Sequence, residues 1–201
     1  MFLLHGLLMP AASMIPLERG LQQAGFATKR VSYPTRARPW RLSVELLRRE
    51  AEECASDRIH FVGHSMGGLI VTALLNDSPM ISSGSVVTIG TPFNGSSVAR
   101  NMLKYPPGRW LLGGAESLLA SGLQPRWSDS RALHVIAGTS GIGLPRMLFG
   151  GETGAVHDGV VSVDECTLER VASMDTFSSN HSLLLVNQAV IERVAVLLKD
   201  C

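Results

Sequence analysis

One serine stands where a nucleophile would be presented. The run Gly63-His64-Ser65-Met66-Gly67-Gly68 contains G-x-S-x-G between an apolar strand-like stretch, Arg58 to Gly63, and an apolar helix-like stretch, Met66 to about Asn76. The pattern is short enough to arise by chance, so its position carries the argument. A sharp strand-to-helix turn strains the backbone at the serine. Glycines at 63 and 67 omit the Cβ atoms that would stop the turn from closing. Ser65 Oγ then projects from the carboxyl edge of a sheet, and the following helix aims its positive N-terminus at the same place. A phosphate loop is the competing reading, but the lysine it needs is absent. Ser65 is therefore the expected nucleophile.

Attack by a serine on a carbonyl puts negative charge on the carbonyl oxygen, and backbone N–H groups must already face that spot. The residue after the nucleophile, Met66, offers one amide. The loop after the first strand, His5-Gly6-Leu7, offers another, and Leu7 is the expected donor because Gly6 lets the backbone approach closely. The His5 side chain is expected to hydrogen-bond loop carbonyls instead.

The serine also needs a base. Of six histidines, His60 and His134 fall within strands, and His64 lies beside Ser65 and points elsewhere. His181, in Ser178-Ser179-Asn180-His181-Ser182, follows the last strand and can return to Ser65 along the carboxyl edge; His157 is its rival. Asp158, in His157-Asp158-Gly159-Val160-Val161-Ser162, is the preferred acid, its turn aimed by Gly159. Asp129 and Asp175 are alternatives, and Asp164 and Glu165 are expected on a solvated edge. The chain order is then serine, acid, histidine. A base of this kind works only when neutral, so activity is expected to rise with pH.

The elements that must hold these residues alternate. Strands are expected at Phe2–His5, Phe26–Tyr33, Arg58–Gly63, Ser85–Gly90, Leu133–Gly138 and around Glu169–Met174. Helices are expected at Ser13–Ala24, about 40–55, 66–76 and Leu183–Leu198. Apolar strands separated by helices imply an α/β fold with a mainly parallel sheet of about six strands, covered on both faces. Thr91 to Ser130 breaks the rhythm with Pro92, Pro106, Pro107 and Pro125 around Trp110, Leu111, Leu112, Leu118 and Leu119. It reads as a short cap over one end of the sheet, lining a pocket or covering core.

The 201 residues suit one domain, 1–201, and a chain of this size buries roughly 70% of its unfolded surface without staples. A net charge of +1 gives no footprint for nucleic acid. Three scattered cysteines, Cys54, Cys166 and Cys201, suit neither a disulfide scaffold nor a zinc site. No run approaches a membrane span, and Met1 to Gly6 lacks a signal-peptide pattern, so a cytoplasmic location is expected.

Together LLHG, GHSMGG, IGTPFNGS, HDGVVS and NHS resemble the ordered landmarks of the α/β-hydrolase superfamily, and within it the bacterial lipases and esterases. The resemblance spans nearly the whole chain. It implies a compact α/β-hydrolase fold, reduced because the strands that usually precede the HG strand have no counterpart. It implies Asp158 as the acid in the DG turn and His181 as the histidine after the last strand. It implies hydrolysis of carboxylic esters with no cofactor, and gives no basis for a metal; the short cap and small domain favour a short-to-medium acyl chain. Acyl transfer or thioester cleavage on the same machinery, or non-catalytic binding to a lipid surface, are the alternatives. The implied partners are a small-molecule or lipid ester and, transiently, a lipid surface.

Overall fold

The computed structural model describes residues 1–77, 84–123, 127 and 129–199; Pro125 and Cys201 lie outside them. Six strands are described: β1 (Phe2–Leu4), β2 (Lys29–Val31), β3 (Phe61–His64), β4 (Val86–Ile89), β5 (Leu133–Gly138) and β6 (Ser173–Phe177). They form one sheet in the order β2-β1-β3-β4-β5-β6. Every pairing is parallel.

Burial on both faces explains the apolar runs. Side chains alternate across a strand, so Phe2, Leu4, Phe61, Val86, Leu133 and Val135 enter one core, and Leu3, Val62, Val87 and Ile136 enter the other. Helices α2 (Trp40–Glu52) and α3 (Met66–Asp77) cover the first face. Helices α1 (Ile15–Gln23) and α9 (Gln188–Lys199) cover the second through Leu17, Leu21, Val190, Ile191 and Val194. Helix α3 is buried from Met66 to Leu75, which is why its sequence is apolar all round.

The order of strands places the site. The chain leaves β1 for β2 on one side, then returns to β3 on the other, so the loops after β1 and β3 diverge at the carboxyl edge. Such a switch point opens a crevice in a parallel sheet.

The cap residues fold as three short helices, α4 (Ser97–Met102), α5 (Pro106–Leu112) and α6 (Glu116–Ser121). Leu112, Leu118 and Leu119 pack into the core, and Leu111, Leu112 and Leu119 also line a cavity, so the segment does both jobs. Trp110 lies exposed under the Arg36 guanidinium, 4.0 Å from its ring centre. Two further helices follow β5: α7 (Leu144–Phe149) and α8 (Val163–Cys166).

The structure corrects several boundaries. The sixth strand runs over Ser173–Phe177 rather than 169–174. The second is only Lys29–Val31, and the last helix begins at Gln188, with a 3-10 turn over Leu183–Leu185 before it. Glu165 is buried, not on a solvated edge. One carboxylate oxygen accepts from the Ser162 amide at 2.8 Å, and the other accepts from the Ser97 amide. Ser162 and Glu165 form a reciprocal capping box at the start of α8.

Candidate active site

The turn from β3 to α3 makes Ser65 left-handed, with φ of 53°. For a side-chain-bearing residue that conformation costs roughly 1–3 kcal/mol and persists only where neighbours enforce it. Here the Ser65 amide donates to the Ile89 carbonyl at 2.8 Å, and the Thr91 hydroxyl donates to the Ser65 carbonyl at 3.1 Å. A Cβ on Gly63 would meet backbone of Gly68 at 2.5 Å, and one on Gly67 would meet the Leu4 carbonyl oxygen at 2.5 Å. Neither obstacle can swing aside, so both turn positions require glycine.

Leu8, in the loop after β1, is also left-handed, at φ 58°. The two strained residues line one cavity of about 700 Å³. Its walls are mostly apolar and come from the β1 loop, from the cap (Val98, Met102, Leu112), from α7 (Leu144, Leu148, Phe149) and from the loops carrying Asp158 and His181. Sequence reasoning missed α7 as a wall. The signals that could have found it are Leu144, Met147 and Leu148 at helical spacing, with Pro145 in the first turn and Gly150 as the stop.

Asp158 and His181 form a tight pair. His181 Nδ1 lies 2.6 Å from Asp158 Oδ2, and the His181 amide donates to the Asp158 carbonyl at 2.9 Å. Asp158 Oδ1 accepts from the amides of Val160 and Val161 at 2.9 and 2.8 Å. Burial works to raise the Asp158 carboxyl, but His181 and the amides outweigh it and hold the group below the usual carboxylate range. An ionised carboxylate only accepts, so Nδ1 carries the imidazole proton and Nε2 keeps a free lone pair. Ser65, Asp158 and His181 are 7%, 1% and 9% exposed, and all three line the cavity.

Leu7 also lines the cavity, while Met66 begins α3. Neither amide donates to another protein group among the described residues. The other histidines have structural partners. His5 Nδ1 donates to the Gly6 carbonyl at 3.0 Å, as expected. His60 Nδ1 accepts from the Ser85 amide at 3.0 Å, and His134 Nδ1 meets Ser173 Oγ at 2.8 Å. His157 accepts from the Gly159 amide at 3.1 Å and is not in the cavity wall. Among the alternative acids, Asp175 pairs with Arg193 at 3.0 Å and Asp129 pairs with Arg131. No cluster of three or more metal-ligating side chains occurs among the described residues.

His64 is completely buried, and burial first, then the adjacent His181, push its imidazole down to about 3. Acid should therefore destabilise the fold. In the unfolded chain a histidine gains its proton near pH 6.5, about three and a half units before folded His64 does. Between those values the unfolded state holds more protons, so stability falls with falling pH by at most about 1.4 kcal/mol per unit from this group. Urea midpoints at pH 7.5 and 4.5 check this. Wild type should lose more on acidification than His64→Gln, and equal losses would assign the effect to other groups.

The model of the alpha/beta hydrolase family matches residues 1–191. No curated protein sequence matches the chain. Among solved structures, mature Bacillus licheniformis lipase BlEst2 superposes with a TM-score of 0.81 at 16% identity, over 98% of this chain and 90% of that one. A lipase-esterase related protein from Clostridium acetobutylicum gives 0.63 at 14% identity, over 99% and 92%. The Paleococcus ferrophilus monoacylglycerol lipase gives 0.63 at 14% identity, over 99% and 93%. At these identities the superpositions speak for the fold, and the matched family model, spanning almost the whole chain, places this protein in the alpha/beta hydrolase family.

Proposed function

We propose that the protein hydrolyses carboxylic esters of short-to-medium acyl chain through an acyl-enzyme. The observation that carries this reading is the Asp158–His181 pair opening onto the same apolar cavity as a left-handed Ser65. Ser65 Oγ attacks the ester carbonyl while its proton passes to His181 Nε2. The developing oxyanion takes hydrogen bonds from the Leu7 and Met66 amides. Collapse of the tetrahedral intermediate breaks the C–O bond to the alcohol, which leaves with the proton from His181. Water, deprotonated by the same nitrogen, then releases the acid and restores Ser65.

Superposable structures named as lipases and an esterase-related protein support the ester class. The apolar walls suit an acyl chain, and Met102 and Leu112 of the short cap bound it. Exposed Leu8, Ile142, Leu144, Leu148 and Leu183 carry the cavity's apolar lining out to the surface, which supports transient contact with a lipid surface. The unpaired thiols of Cys54 and Cys166 are in keeping with the cytoplasmic placement expected from the sequence. No described helix is long and apolar enough to cross a membrane.

Fluorophosphonate labelling, peptide mapping and a p-nitrophenyl series from acetate to palmitate test the proposal. The label should map to Ser65, and kcat/KM should peak between about four and ten carbons. A maximum at palmitate would overturn the chain-length preference, and no label at Ser65 would overturn the mechanism.

A further inference from the structure

The chemistry above uses Ser65 and leaves the residue before it unexplained. His64 Nε2 lies 3.0 Å from the main-chain oxygen of His181. A carbonyl oxygen only accepts, so Nε2 carries the proton and Nδ1 is left as a bare lone pair. Nδ1 is buried and has no hydrogen-bond partner among the described residues. A buried, unmatched acceptor costs roughly 1–3 kcal/mol. A leucine would fill the same space without that cost, so the Nε2 donor must supply something in return.

What it supplies is a grip on His181. The His181 amide is already tied to the Asp158 carbonyl at 2.9 Å, and its ring to Asp158 Oδ2 at 2.6 Å. Both ties run to the Asp158 loop, and the Ser140 amide holds the Ser179 carbonyl from the end of β5 at 3.2 Å, but none of these reaches the elbow. The bond from His64 is the tie that crosses from the elbow, and it ends on His181 itself. The two imidazole rings lie 4.7 Å apart. His64 is joined to Ser65 by one peptide bond, and Ser65 is anchored through its amide to β4. The ring also abuts the β1 loop: a Cβ on Gly6 would stand 3.1 Å from Nδ1.

We propose that His64 is a positioning residue that sets the reach between the Ser65 hydroxyl and the His181 ring. One covalent link and one hydrogen bond then fix the spacing of two residues 116 positions apart in the chain. Misplacement by about 1 Å can lower a rate roughly 100-fold, so such a tie has a large effect. Burial keeps His64 neutral, so no second cation stands beside the imidazolium that His181 becomes.

The inference rests on the catalytic reading of Ser65 and His181, and the test separates the two. Wild type, His64→Gln and His64→Leu are compared for p-nitrophenyl butyrate kinetics, rate of fluorophosphonate labelling and Tm. Glutamine places an N–H donor about where imidazole Nε2 lies, whereas leucine fills the space without a donor. The leucine variant should lose roughly 10- to 100-fold in kcat and in labelling rate, with KM within about threefold. Glutamine should recover most of that loss. Should the leucine variant fail to fold, His64→Asn replaces it, because its shorter amide reaches only the Nδ1 position and should lose what glutamine keeps. A folded leucine variant at the wild-type rate, or glutamine as slow as leucine or asparagine, overturns the positioning role while catalysis stands. Wild type that neither labels at Ser65 nor turns over ester overturns the catalytic reading, and this inference with it.

Discussion

Replacing Ser65 with alanine should lower kcat for p-nitrophenyl butyrate by roughly 10⁵- to 10⁶-fold and abolish fluorophosphonate labelling. The size follows from what is removed. Without Oγ no acyl-enzyme forms, and the amides of Leu7 and Met66 can assist only direct attack by water, which leaves a residual rate about 10³–10⁴ above solution. The fold should scarcely register the change. Alanine keeps the Cβ, so the left-handed strain at φ 53° is the same in both proteins. The ties at this residue, to the Ile89 carbonyl and from the Thr91 hydroxyl, use its backbone and survive. Unchanged Tm with lost turnover is therefore the expected pair of results. Turnover within tenfold of wild type would remove Ser65 from the mechanism.

The elbow was legible because its requirements are local: a short strand opened by Phe61 and Val62, glycines where neighbouring backbone lies 2.5 Å from a Cβ, and an apolar helix start. The inner strands were legible because burial on both faces leaves mostly apolar residues, with His64, Thr88 and His134 the buried exceptions. The edge strands were legible in their place but not in their bounds. Ser173, Asp175 and Thr176 of β6 meet solvent or a partner side chain, so the run that pairs with β5 carries no continuous apolar signal, and the reading drifted toward Val171. Helix α7 escaped for a different reason. It is six residues long, so Leu144, Met147 and Leu148 give only one turn of helical spacing, too short a run to separate from a loop. Glu165 could have been read correctly. Ser162 and Glu165 have the S-x-x-E spacing of a capping box, which assigns the carboxylate to backbone amides rather than to water. The partner of His64 could not have been read, because it lies far along the chain and the bond ends on a main-chain oxygen. No residue type at 181 is required to supply that acceptor.

Exchanging Asp158 for asparagine should lower kcat by up to about 10⁴-fold, and the hydrogen bonds around the carboxylate explain why. Oδ1 accepts from the amides of Val160 and Val161, and Oδ2 faces His181 Nδ1. An asparagine must keep its carbonyl oxygen at the two amides, since its NH₂ group there would set donor against donors. The NH₂ group then faces Nδ1, which has to become an acceptor, and the ring proton moves to Nε2. That nitrogen can no longer take the proton of Ser65. Alanine at the same position strands the buried Val161 amide, at a cost of roughly 1–3 kcal/mol, and the part-buried Val160 amide, but it leaves His181 free to choose its tautomer. The two variants should therefore diverge: asparagine the more stable, yet at least as slow in kcat. If activity instead followed Tm, with asparagine close to wild type and alanine far below it, Asp158 would serve only to build its loop. Asp158 also titrates below the usual carboxylate range, so it stays ionised throughout the neutral region and cannot produce a rise in rate there. The asparagine variant, with its ring locked in the other tautomer, should not regain the wild-type rate as the pH is raised toward 8.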